Sequence, residues 1–216
     1  GGNYEKLEHS TDTVTTTVTD VPGTADTTGL SLTATGTVAE GGQITYTATL
    51  SNPAGTAVTV NLSNGQSIVI AAGQTSNSIS VAAPKDDAYL DAGDISVKIT
   101  NATGGDFEKL DISDTAAVTH VTDTIDTSTV TLTASPSVTE GGNVVYTASV
   151  TAPVTGSPLT VTLANGQTIT IGVGESSNSV EFKAPNNVLN TNEALSNSIT
   201  KVEGGNYEKL EHSTDT

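Results

Sequence analysis

Seven carboxylates lie in three short segments between residues 40 and 126 of this chain. Glu40 stands before Gly41-Gly42. Asp86, Asp87, Asp91 and Asp94 share one stretch, and Asp123 and Asp126 share the phrase Thr122-Asp123-Thr124-Ile125-Asp126-Thr127. Brought to one place without cations, such groups repel each other. Around a divalent ion they supply the hard oxygen donors that a six- to eight-coordinate Ca2+ takes. The competing reading is a solvated, self-repelling surface, since 24 Asp and Glu face seven Lys or Arg for a net charge of −17. Which reading holds depends on whether the elements between these segments bring them together.

Those elements read as strands. In Gln43–Leu50, Ile44, Tyr46, Ala48 and Leu50 alternate with Thr45, Thr47 and Thr49, and Val58, Val60 and Leu62 alternate in the same way. Period two with β-branched residues marks half-buried strands. Asn64-Gly65 and Asn165-Gly166 sit between alternating runs as hairpin turns. In the first repeat we place strands at Leu30–Val38, Gln43–Ser51, Ala57–Ser63, Gln66–Ala71, Ser76–Ala83, Ile95–Asn101 and Ala116–Thr122. About seven antiparallel strands in about 100 residues describe an immunoglobulin-like β-sandwich. If the strands alternate in direction, all seven carboxylates fall at one pole, and that convergence favours the cation over the plain acidic surface.

The sandwich is repeated. Val38-Ala39-Glu40-Gly41-Gly42 returns as Val138-Thr139-Glu140-Gly141-Gly142, and Gly1–Thr13 is identical to Gly204–Thr216. A period near 100 residues is the size of a small domain rather than of a solenoid unit. The expected division is 1–27 as the terminal strand and linker of a preceding repeat, 28–126 as repeat 1, and 127–216 as repeat 2 lacking its last strand. The fold expected is all-β, with tandem immunoglobulin-like sandwiches in an elongated array. In repeat 2 the acids thin out to Glu140 and Glu193, because Pro185-Asn186-Asn187 and Asn190 to Asn192 stand where Asp clusters in repeat 1. Fewer charges predict weaker Ca2+ binding there.

Composition narrows the function. Without Cys there is no disulfide or thiolate metal site. No apolar run reaches the roughly 20 residues of a membrane helix, so no membrane insertion is expected. The acidic balance argues against nucleic acid, whose phosphates need Lys and Arg. His9, His120 and His212 offer no oriented nucleophile and base, so no enzyme is expected. The alternative function is a ligand-binding module, for glycan or ice, built on Thr-rich strand faces such as Thr45, Thr47 and Thr49.

The stretch Asp86-Asp87-Ala88-Tyr89-Leu90-Asp91-Ala92-Gly93-Asp94 resembles the acidic segment of Calx-β domains, and Val38-Ala39-Glu40-Gly41 resembles the first-strand ligand of that family. Taken with Val138–Gly142, Tyr146-Thr147-Ala148-Ser149 and Thr122–Thr127, the whole chain is similar to the tandem extender repeats of giant RTX adhesins. That resemblance implies a secreted bacterial cell-surface protein of biofilm and attachment type, with Ca2+ at the junctions between repeats. The Gly-Gly-x-Gly-x-Asp nonapeptide of RTX β-rolls is absent. The expected function is a structural spacer, stiffened by Ca2+, that projects a distal binding domain from the cell.

The expected partners are neighbouring repeats of the same chain, with head-to-tail self-association as a further possibility. Residues 14–20 match the last strand of repeat 1, at Val18 against Val121, and that strand is missing from repeat 2. Donation of this segment to another copy would bring Asp20 and Asp26 near Glu140 and Glu193, completing the second pole.

Overall fold

The computed structural model describes residues 2–19, 23, 25–188 and 194–214. Of the residues singled out above, Asp20, Asn190, Asn192 and Glu193 lie outside the described residues. The described chain contains strands and no helix.

In the first repeat the strands are β1 (Thr27–Ala34), β2 (Thr37–Ala39), β3 (Gln43–Leu50), β4 (Val58–Leu62) and β5 (Ser67–Ile70). They continue as β6 (Ser76–Ala82), β7 (Asp94–Val97), β8 (Ile99–Gly104), β9 (Lys109–Ile112) and β10 (Ala117–Thr122). The second repeat contains β11 (Thr127–Ala134), β12 (Asn143–Val150), β13 (Leu159–Leu163), β14 (Thr168–Ile171), β15 (Ser177–Lys183), β16 (Ile199–Glu203) and β17 (Lys209–His212). Three sheets build the first repeat, in the orders β6-β3-β1-β9, β5-β4-β8 and β2-β10-β7. The second has β15-β12-β11-β17 and β14-β13-β16.

Each repeat is a sandwich because the alternating apolar faces of its sheets share one core. Leu30, Ile44, Tyr46, Val58, Val60, Ile68, Ile70 and Val97 come from all three sheets of the first repeat and form one buried cluster. Val130, Tyr146, Leu159, Val161, Ile169 and Ile171 form the second. Tyr46 is 1 % exposed, the largest side chain at the centre of the first core. In the second, Tyr146 packs against Phe182 with ring centroids 6.4 Å apart.

Three departures from the sequence reading have local causes. The first strand is two strands, because the chain bends between Ala34 and Thr37 and leaves β3 to pair with β10 in parallel. The expected strand from Ile95 to Asn101 is also two. β7 pairs with β10 and β8 pairs with β4, and the β4–β8 register shifts between Asn61 and Leu62. Finally, Lys109–Ile112 is a strand, although no strand is expected there, and it runs parallel to β1. Its signal was short, with only Leu110 and Ile112 on the inner side.

The Gly104-Gly105 phrase and its repeat at Gly204-Gly205 carry the chain from one sheet to the other. A Cβ on Gly104 would lie 2.1 Å from the Ala57 carbonyl oxygen, and one on Gly204 would lie 2.2 Å from that of Pro158. Both glycines have positive φ. By contrast Gly65, with φ 80°, has open space around its missing Cβ. It closes a turn in which Gly65 N donates to the Leu62 carbonyl at 3.1 Å.

This contrast sets an expected result. Gly65→Ala should cost only the left-handed backbone penalty, about 1–2 kcal/mol. Gly104→Ala adds a clash with rigid backbone and should cost at least twice that. Urea melts of the two variants check the order, and equal losses would contradict the close approach.

Candidate metal centre at the junction between repeats

The turn from β2 to β3 holds Glu40 in place through its backbone. Glu40 N donates to the Thr122 carbonyl at 3.0 Å, and Gly41 N donates to the Pro84 carbonyl at 2.6 Å. These bonds tie the turn to the end of β10 and to the start of the acidic loop. Glu40 is thereby buried, at 6 % exposure, although it is a carboxylate.

Its neighbours are acids. Burial, a hydrogen bond from the protonated Glu40 carboxyl to Asp91, and the charges of Asp91, Asp123 and Asp87 push the Glu40 carboxyl up from 4.5 to about 7. Asp91 N also donates to Asp123 Oδ1 at 3.4 Å. Sequence alone missed the remaining member, Glu208. One ligand oxygen each from Glu40, Asp123 and Glu208 fall within 4.8 Å of one another. Glu40 Oε2 and Glu208 Oε1 are buried with no hydrogen-bond partner.

Glu208 belongs to the second repeat, and the contacts around it explain how it arrives. Its Oε2 accepts from Asp126 N at 2.6 Å. Glu208 N donates to the Ala88 carbonyl at 3.2 Å, and Leu90 N donates to the Asn206 carbonyl at 3.2 Å. Asn206 Nδ2 returns a bond to the Leu90 carbonyl at 2.9 Å. The rings of Tyr89 and Tyr207 lie 5.8 Å apart. Tyr89 OH donates to the Pro153 carbonyl at 2.7 Å, and Tyr207 OH to that of Ala152 at 2.9 Å. The acidic loop of repeat 1 is thus seated on the β16–β17 turn of repeat 2.

The other residues singled out from sequence are placed as follows. Asp86 lies beside Gly41, with its carboxylate bonded by the Thr124 hydroxyl. Asp87 Oδ1 accepts from Tyr89 N at 2.9 Å, which shapes the loop that docks on repeat 2. Asp94 opens β7 and bonds His120 Nδ1 at 2.8 Å, on the sheet rather than in the acid cluster. Asp126 contributes its backbone N–H to Glu208.

At the first pole of repeat 1 the same arrangement recurs, with Asp26 N donating to Glu108 Oε2 at 2.7 Å. At the far pole of repeat 2, Glu140 is exposed, and Asn186 stands beside Gly141 as Asp86 stands beside Gly41. The repeated phrase Gly204-Gly205-Asn206-Tyr207-Glu208 is the one sequence signal that could have found Glu208. Its meaning required knowing which loop it meets.

Without a cation, the raised Glu40 pKa has a definite consequence. The folded state holds the Glu40 proton more tightly than the unfolded chain does, so its contribution is fully present below 4.5 and is lost as pH rises through about 7. In chelator, the melting temperature should therefore fall between pH 5 and pH 7.5, and Glu40→Gln should flatten that fall. A Glu40→Gln profile parallel to the wild type would show that Glu40 is not the group responsible.

No curated protein matches the chain. Among solved structures, the human OSCAR ligand-binding domain aligns at TM-score 0.24 and 11 % identity, over 74 % of this chain and 84 % of that one. A similarity of that size carries no argument. The family comparison is decisive, because the LapA domain model matches residues 26–124 and again 126–216, one copy for each sandwich. The chain belongs to the LapA domain family of large adhesins.

Proposed function

We propose that the two repeats are a spacer segment of a secreted surface adhesin, stiffened where they meet by Ca2+. LapA membership carries the adhesin-related role at the cell surface. The Ca2+ reading rests on one observation. Two carboxylates of repeat 1 and one of repeat 2 converge within 4.8 Å, and two of their oxygens are buried without a partner. Leaving buried charged oxygens unpaired is costly, and a hard cation removes that cost. Glu40, Asp123 and Glu208 would hold the ion, with Asp91 and Asp87 adding negative charge beside it. The ion's chemistry is electrostatic. It would bind both repeats at once, converting a hinge into a fixed joint.

The RTX-type secretion route and the biofilm role belong to the same proposal, supported by the phrases that resemble RTX extenders. The Thr-rich faces support a glycan or ice site less well. The Thr47 and Thr147 hydroxyls are paired to Ser78 and Ser179 at 2.8 Å each, and Thr45 to Ser80 at 3.1 Å. Hydroxyls engaged across strands are less available to a ligand.

Extracellular Ca2+ modules bind near 10⁻⁴–10⁻³ M, so at about tenfold excess over Kd one site adds roughly 1.4 kcal/mol of stability. For a chain of this size that is a rise of about 3–6 °C. Glu208→Gln should weaken titration calorimetry binding, and it should abolish the change in maximum dimension between Ca2+ and EGTA measured by small-angle scattering. Wild-type scattering and melting that ignore EGTA would end the proposal.

A further inference from the structure

One-electron oxidation of this chain has few places to end. The sequence has no Cys or Met, the sulfur side chains that oxidants take first, and no Trp, which leaves its five Tyr phenols as the readiest electron donors. Tyr46 and Tyr146 sit one in each core, at 1 % and 4 % exposure, and Tyr4 is 70 % exposed. The remaining two meet across the junction. Among the described residues, Tyr89 and Tyr207 form the only Tyr–Tyr ring contact, with centroids 5.8 Å apart and planes inclined by 33°.

The pair is held in place at its hydroxyl end. Tyr89 OH donates to the Pro153 carbonyl at 2.7 Å and Tyr207 OH to the Ala152 carbonyl at 2.9 Å. Both hydroxyls are thereby fixed on one two-residue segment, and the ortho carbons that flank them lie at the same end of the pair. The backbone on either side is fixed as well, because Leu90 N donates to the Asn206 carbonyl and Glu208 N to the Ala88 carbonyl. Tyr89 is half-buried and gives an oxidant its point of entry, and Tyr207, more deeply buried, lies in ring contact behind it. Burial, and after it the neighbouring Tyr89, pushes the Tyr207 phenol pKa up, so Tyr207 keeps its proton until it is oxidised. Ring packing alone does not demand a phenol here. In repeat 1, Phe107 stands in the Gly104-Gly105-Asp106-Phe107-Glu108 phrase where Tyr207 stands in repeat 2, and it packs against the first core.

We propose that Tyr89 and Tyr207 are a site of oxidative cross-linking, at which their rings couple to a dityrosine that joins the two repeats covalently. Each phenol loses one electron and its hydroxyl proton. A carbon–carbon bond forms between an ortho carbon of each ring, and the two hydrogens at those carbons shift to the phenol oxygens. Hydrogen peroxide, activated by a haem peroxidase, takes up the two electrons and two protons and leaves as two waters. The link spans the same junction as the acid cluster but needs no cation. It also closes the chain between residues 89 and 207, which restricts the unfolded state as other cross-links do.

The test treats the full chain, dilute and in EGTA, with hydrogen peroxide and a haem peroxidase. Trypsin cuts after Lys85, Lys98, Lys201 and Lys209, so the link should appear by mass spectrometry as peptide 86–98 joined to peptide 202–209 with the loss of two hydrogen atoms. Its yield should not change on further dilution. Tyr89→Phe and Tyr207→Phe should each abolish the joined peptide, while Tyr4→Phe should leave it intact. Unchanged far-UV circular dichroism checks that the variants fold, as the Phe at 107 leads one to expect. Treatment should shift the melting temperature of wild type upward and leave that of Tyr207→Phe where it was. With EGTA present, neither result depends on the proposed Ca2+ site. Absence of the joined peptide while Tyr4 is oxidised overturns the proposal, because the oxidant was then active. A yield that falls on dilution also overturns it, since the link would then be between molecules. Linked protein that melts no higher than untreated protein overturns the covalent joining of the repeats as a stabilising device.

Discussion

A buried carboxylate with carboxylates for neighbours is the constraint around which the junction is organised. Glu40 is removed from water by backbone bonds of its own turn, which also fix it against Thr122 and Pro84. That burial, and after it Asp91, Asp123 and Asp87, raise the Glu40 pKa to about 7. A fold does not keep such a group cheaply, since an isolated buried charge costs several kcal/mol or takes up a proton. Both outcomes tie the junction to its ionic surroundings. On the proposed reading, a divalent ion at the junction would take the place of that proton.

The docking of the two sandwiches rests on different chemistry from the cluster it surrounds. Tyr89 and Tyr207 pack ring to ring, and each donates its hydroxyl to a carbonyl of the Ala152-Pro153 segment. Backbone bonds through Leu90, Asn206 and Glu208 surround them. These neutral contacts hold the loop of repeat 1 close to repeat 2. The acids meet beside that contact, with one oxygen each of Glu40, Asp123 and Glu208 within 4.8 Å of one another. A cation there would act on angle more than on attachment.

The same physical logic accounts for the thinness of each bead. The first core is aliphatic around Tyr46 and the second also buries Tyr146 and Tyr207, with hydroxyl pairs across the strands outside them. Sandwiches of about 100 residues bury limited surface.

Much of this was written in the sequence because its determinants are local. Period two in Gln43–Leu50 places Tyr46 inside and Thr45 outward whatever lies opposite. Asn64-Gly65 makes a turn from its own backbone freedom, and the acidity of Asp86 to Asp94 is visible as composition. The splitting of the first strand, the parallel β1–β9 pair and the pairing of Asp94 with His120 were not visible in that way. They depend on which sheet edge a short segment meets, and four residues such as Lys109–Ile112 carry too little pattern to declare a partner. Glu208 is the clearest case. In sequence it is one acid of a repeated phrase, the same as Glu108. Only tertiary structure gives it Ala88, Asp123 and Glu40 as neighbours, because a junction site is made by the docking of two domains and neither domain's pattern contains it.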